Sequence, residues 1–89
     1  MKITLDFTPC QTPAQVQEYL QRALAFPDYY GRNLDALYDM LTTWDRNTRF
    51  VLKLPAAPAV DLAPYLPRLT RVFRDAAGEN GRIQLTINN

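Results

Sequence analysis

Three short strand-like segments lie far apart in the chain, and helical sequence fills both gaps between them. The segments are KITLDF at 2–7, RFVLKL at 49–54 and RIQLTI at 82–87. Connections that long cannot be tight hairpins. A helical crossover brings the next strand back parallel to the last, with right-handed connectivity. In the first segment Ile3, Leu5 and Phe7 alternate with Lys2, Thr4 and Asp6, the pattern of a strand with one buried face. Ile83, Leu85 and Ile87 alternate in the same way. The middle segment has a continuous apolar centre, Phe50-Val51-Leu52, which predicts burial on both faces and a central place in the sheet.

The first gap opens with Thr12-Pro13-Ala14-Gln15, a capping box with proline at the first helical position. The helix is expected to run to about Ala25. Its apolar stripe is Val16, Tyr19, Leu20, Ala23 and Leu24, with Gln15, Gln17, Glu18, Gln21 and Arg22 facing water. Phe26-Pro27 ends it, because a residue before proline avoids the helical region. After a loop from Asp28 to Arg32, Asn33 is a good N-cap for a second helix over about 33–43. Leu34, Leu37 and Leu41 form its buried stripe.

The second gap is punctuated by Pro55, Pro58, Pro64 and Pro67. A short helix is expected near 57–63, around Val60 and Leu62. A longer one should run from Pro64 or Pro67 to Ala77, with Leu66, Leu69, Phe73 and Ala76 on the core side and Gly78 as C-terminal cap. The expected fold is therefore α/β: a three-stranded parallel sheet with four helices, in the order β-α-α-β-α-α-β. Eighty-nine residues suffice for a single domain with one core.

The residues that are missing narrow the chemistry. The chain has no histidine and no serine, and its single cysteine is Cys10. Histidine is the commonest general base near neutral pH and the commonest metal ligand. The glycines are Gly31, Gly78 and Gly81, too scattered for a phosphate-binding loop. No catalytic residue, metal or cofactor is expected. Cys10 reads as a small buried hydrophobe, and a lone thiol suits a reducing compartment. The start MKITLDF is too short and polar for a signal peptide, and no stretch approaches a membrane span. The expected location is the cytoplasm.

The second helix has more surface than docking requires. Asp35, Tyr38, Asp39 and Thr42 share a face distinct from the leucine stripe. Asp35 is favoured by the dipole of the first turn, but Asp39 lies beyond it and is repelled by Asp35 four residues away. Tyr29 and Tyr30 precede the helix and Trp44 follows it. Two readings fit this acidic, aromatic ridge. It is a docking surface for a basic partner, or it is a solvated helix face whose aromatics cover the core edge. Arg68, Arg71, Arg74 and Arg82 form a second charged stripe, interrupted by Asp75 and Glu79. An ordinary polar face accounts for it, and direct nucleic-acid binding is not expected at a net charge of +1.

Residues 28–44, DYYGRNLDALYDMLTTW, resemble the hallmark segment of the barstar family, intracellular inhibitors of the secreted ribonuclease barnase. The YYGxNLDALxD pattern from Tyr29 to Asp39 is long and specific. The likeness extends to the first strand, to LAFPDYYG at 24–31, to VFRDA at 72–76 and to the final strand. It implies the same three-stranded, four-helix fold. It also implies a cytoplasmic, antitoxin-like inhibitor, monomeric when free, whose partner is a small extracellular-type ribonuclease with a cationic active site. In such inhibitors the second helix and its preceding loop plug the enzyme. Asp39 would take the place of a substrate phosphate, Asp35 would pair with an enzyme arginine, and Tyr29 would pack on the catalytic histidine. Tyr30, the backbone at Gly31, Asn33, Leu34, Tyr38, Thr42 and Trp44 would complete the contact, with Asp75 as an outlying acid. The alternative is a regulatory or adaptor module using the same face on a basic protein that is not a nuclease.

Overall fold

The structure, a computed structural model, describes residues 1–88. Its elements are β1 (Lys2–Asp6), α1 (Pro13–Ala23), α2 (Leu34–Thr42), β2 (Thr48–Lys53), α3 (Tyr65–Glu79) and β3 (Ile83–Asn88). The strands form one parallel sheet in the order β1-β2-β3, so β2 is central as its apolar run predicts. Leu5, Phe50, Leu52 and Ile83 point into the core. On the other face Lys2, Thr4, Arg49, Lys53, Gln84 and Asn88 are exposed. Val51 lies on that open face and is nonetheless buried. Its register partners are Thr4 and Thr86, and flanking strands rather than a second layer shield it.

Three helices form among the described residues, not four. The segment expected as a helix near 57–63 makes a single turn, in which the Leu62 and Ala63 N–H groups donate to the Ala59 carbonyl at 2.9 and 2.9 Å. Pro58 and Pro64 bracket it, and Pro64 has no N–H for the Val60 carbonyl, so the turn cannot propagate. The observed order is thus β-α-α-β-α-β. Leu62 is still fully buried, so the turn pins the loop to the core without being a helix.

α3 runs past Gly78 and ends with Asn80 as its cap. No glycine has a positive φ, so the expected glycine cap is not used. α1 stops at Ala23, earlier than expected, because a left-handed residue terminates it before the proline can. Ala25 has φ 54°, the Phe26 N–H donates to the Gln21 carbonyl at 3.0 Å and the Ala25 N–H to the Arg22 carbonyl at 3.4 Å. That pair of bonds is the Schellman arrangement. On α1, Ala23 is exposed and Gln17 is buried, the reverse of the expected assignment. Gln17 can be buried because its amide finds two partners, described below.

The core is built around aromatic rings in edge contacts. Phe50 meets Trp44 at 5.4 Å and Phe73 at 5.6 Å between ring centroids. Leu66, Leu69, Phe73 and Ala76 of α3 are buried as their spacing predicts, and so is Cys10.

Candidate functional site

α2 is held at both ends. At its start the Asn33 side-chain oxygen accepts from the Ala36 N–H at 2.7 Å, the capping bond expected of asparagine. Along its length Leu37 and Leu41 are fully buried, while Leu34 is half-buried. At its end the Thr42 and Thr43 hydroxyls donate to the Asp39 carbonyl at 3.1 and 3.0 Å. The Asn80 amide, from the end of α3, donates to the carbonyls of Leu41 at 3.0 Å and Trp44 at 2.8 Å. Its own oxygen accepts from the Arg82 N–H at 3.1 Å. One buried side chain therefore ties the end of α2 to the start of β3.

The loop before α2 is also fixed. Gly31 packs so closely that a Cβ there would lie 3.2 Å from the Ala36 Cβ and 3.3 Å from the Asn33 amide nitrogen. Arg32 adopts φ 54°, and its Nε donates to the Gln21 side-chain oxygen at 2.7 Å. Gln21 in turn donates to the Pro27 carbonyl at 3.0 Å. The positive charge that interrupts the acidic ridge is thus anchored to α1.

The two adjacent tyrosines point in opposite directions. Tyr29 is 86% exposed, whereas Tyr30 is 6% exposed and packs on Phe26 with ring centroids 4.7 Å apart. The Tyr30 hydroxyl donates to the Gln17 side-chain oxygen, and the Gln17 amide donates to the Tyr65 hydroxyl at 2.7 Å. Burial, with a smaller contribution from Tyr65, pushes the Tyr30 phenol well above its ordinary value. It stays neutral at any physiological pH.

Trp44, like Tyr30, belongs to the core. It is 8% exposed, its Nε1 donates to the Thr48 hydroxyl at 2.9 Å, and the Arg46 guanidinium lies 4.4 Å from the ring centroid. Neither aromatic presents much side chain to a partner, and both set the backbone around α2. The exposed groups are Tyr29, Gly31, Asn33, Asp35 and Asp39, with Leu34, Tyr38 and Thr42 half-buried beside them. Asp75 stands apart on α3, exposed and 3.8 Å from Arg71.

Among the described residues the ion pairs are Asp45–Arg46 and Arg71–Asp75. Asp35 and Asp39 have no cationic partner among the described residues. Asp35 is favoured by the dipole of the first turn, but Asp39 lies beyond it and, repelled by Asp35, adds nothing to the helix. Three residues that build the site were not singled out in the sequence: Gln17, Gln21 and Asn80. All three act through contacts distant in the chain, and Gln17 and Gln21 look like ordinary solvent positions by periodicity. No helix among the described residues is long and apolar enough to cross a membrane.

Comparison with known proteins bears on this surface. The sequence model of the family described as Barstar (barnase inhibitor) matches residues 1–88. A protein of Bacillus subtilis (strain 168), named "Putative ribonuclease inhibitor YrdF", is 38% identical over 79 residues. The match covers 88% of this chain and 87% of that relative.

Proposed function

This chain belongs to the barstar family, and on that premise we propose that it inhibits a small barnase-like ribonuclease by plugging the active site with residues 29–44. The family and the relative's name support a ribonuclease-inhibitor role. The observation that carries the plug is the pair Asp35 and Asp39, exposed on a helix fixed at both ends and unpaired among the described residues.

A ribonuclease must bind the phosphodiester it cleaves, so its active site concentrates cationic groups. Asp39 offers such a site a carboxylate in place of the phosphate. Asp35, one turn earlier on the same face, pairs with an arginine beside it. Tyr29 packs its exposed ring against the enzyme's catalytic histidine, a large apolar contact with few rotors to immobilise. The backbone at Gly31, with Asn33, Leu34, Tyr38 and Thr42, fills the rim. Tyr30 and Trp44 contribute by shaping the loop and the helix end. Asp75 reaches a second basic group at the edge. Binding of this kind needs no catalytic group in the inhibitor, and the protein is proposed to act as a monomer in the cytoplasm.

The test is RNA cleavage by a small guanine-specific ribonuclease, with and without this protein. The wild type should suppress cleavage near one-to-one stoichiometry. Asp39→Ala leaves enzyme cations unpaired in the interface, a loss of ~3–5 kcal/mol or about two to three and a half decades in affinity. Equal inhibition by wild type and variant would remove Asp39 from the mechanism. Failure of the wild type against every such enzyme would favour a non-nuclease partner for the same face.

A further inference from the structure

The strand starts surround a cleft of about 430 Å³, lined by Lys2, Asn47, Thr48, Arg49, Arg82 and Gln84 among others, with no carboxylate among the described residues. The sheet register sets Lys2 beside Arg49 and Arg49 beside Gln84, on strands ~4.8 Å apart. Arg82 is held from both sides: its N–H donates to Asn80 at 3.1 Å, and its carbonyl accepts from the Thr48 N–H at 2.8 Å. The Arg49 guanidinium donates to the Gln84 side-chain oxygen at 2.9 Å and the Thr86 hydroxyl at 3.3 Å. Those acceptors are neutral, so they orient the group without compensating its charge.

Lys2, Arg49 and Arg82 take part in neither of the ion pairs found among the described residues. Among the described residues the carboxylate on the open sheet face is Asp6, in the row with Lys53 and Asn88. Along the strand it is roughly 13 Å from Lys2. Three cations gathered without a counter-ion repel one another, and an anion bound between them relieves that repulsion.

The cleft is within the ~300–1,000 Å³ range of small-molecule sites, larger than a bare ion requires. No aromatic side chain lines it, so a nucleobase has no ring to stack on. Recognition must rest on charge and on hydrogen bonds from the exposed Asn47 and Gln84. Guanidinium groups grip phosphate oxygens in a bidentate fork, and two linked phosphates carry about the charge that three cations neutralise. We propose that this cleft binds a small diphosphate-bearing ligand through Lys2, Arg49 and Arg82. A single RNA strand would need a stacking platform and a longer cationic track, and the cleft provides neither.

The experiment is a titration of the full chain with sodium pyrophosphate at low ionic strength, followed by backbone amide NMR. Saturable shifts centred on Lys2, Arg49, Arg82 and Gln84 are expected, and Arg49→Gln with Arg82→Gln should weaken binding roughly tenfold or more. Both side chains are exposed, and unchanged amide shifts in α2 and α3 will establish that the double variant keeps its fold. Absence of saturable shifts at millimolar pyrophosphate overturns the proposal. So does an equal response of the double variant, or a response centred on Arg68, Arg71 and Arg74 instead. A single-stranded oligoribonucleotide that binds the cleft more tightly than pyrophosphate overturns the ligand class in favour of nucleic acid. The cleft shares no residue with the Asp35 and Asp39 surface, so ribonuclease inhibition and pyrophosphate binding fail independently.

Discussion

The side chain of Asn80 donates to the main-chain carbonyl of Leu41 at 3.0 Å, across 39 residues of sequence. The bond is buried, and it gives the Leu41 carbonyl a second donor beside the Trp44 N–H at 3.1 Å, at the helix end where carbonyls lack partners one turn on. Asn80→Ala removes the side-chain donor to the Trp44 carbonyl, leaves the Leu41 carbonyl with the Trp44 N–H alone, and should destabilise the protein by ~1–3 kcal/mol. Asn80→Asp keeps the shape but loses the donor, so it should be destabilising as well. Urea unfolding of both variants checks this; a neutral Asn80→Asp would show that the amide donor does not matter.

Ala25 sits in the left-handed region at the end of α1, the position where glycine is strongly favoured. A Cβ there costs ~1–2 kcal/mol, against ~0.5–1 kcal/mol for the greater freedom of an unfolded glycine. Ala25→Gly should therefore stabilise the protein by about 0.5–1 kcal/mol. The measurement is the unfolding midpoint in urea, and a lower midpoint would contradict the assignment of strain.

Tyr30 gives the stability a pH dependence on the alkaline side. Its phenol is raised above the ordinary value of 10.0, first by burial and then by Tyr65. The folded state thus keeps a proton that the unfolded chain loses earlier. The contribution is full below about pH 10 and is lost as pH rises from there toward the folded pKa. The slope is no more than about 1.4 kcal/mol per pH unit for this one group. Cys10, raised chiefly by burial and further by Asp6 against a lowering by Arg22, acts in the same direction from its ordinary value of 9.0. Melting temperature followed upward from about pH 9 should fall, and Tyr30→Phe should flatten the fall above about pH 10.

Asp39→Asn should separate stability from binding. The substitution removes like-charge repulsion with Asp35 and should raise the unfolding free energy by a few tenths of a kcal/mol. The same change should weaken ribonuclease inhibition. A loss of both together would mean that the carboxylate supports the fold, and that the helix face is not free for a partner.

Much of this fold is legible in the sequence, because strands and helices announce themselves through local periodicity. The three strands, their parallel pairing, the central place of β2 and the Asn33 cap all follow from residues within a few positions of one another. So does the exposed face carrying Asp35 and Asp39. The fourth helix fails because a plausible apolar pattern around Val60 and Leu62 cannot outweigh two prolines that leave room for one turn. Gln17 and Asn80 are unreadable for a different reason. Each is a polar side chain whose partners lie far along the chain, at Tyr30 and Tyr65 or at Leu41 and Trp44, and no spacing rule connects them. The buried orientation of Tyr30 and Trp44 is likewise invisible in a motif that reads as uniformly aromatic.

The opposed tyrosines bear on the thermodynamics of recognition. Tyr30 is locked beneath the loop by Gln17, and its neighbour Tyr29 inherits a backbone that is already still. The conformational entropy of that segment is lost when the chain folds, so little remains to be lost at association. For the proposed plug, a substitution at the buried Gln17 would then be felt as weaker binding.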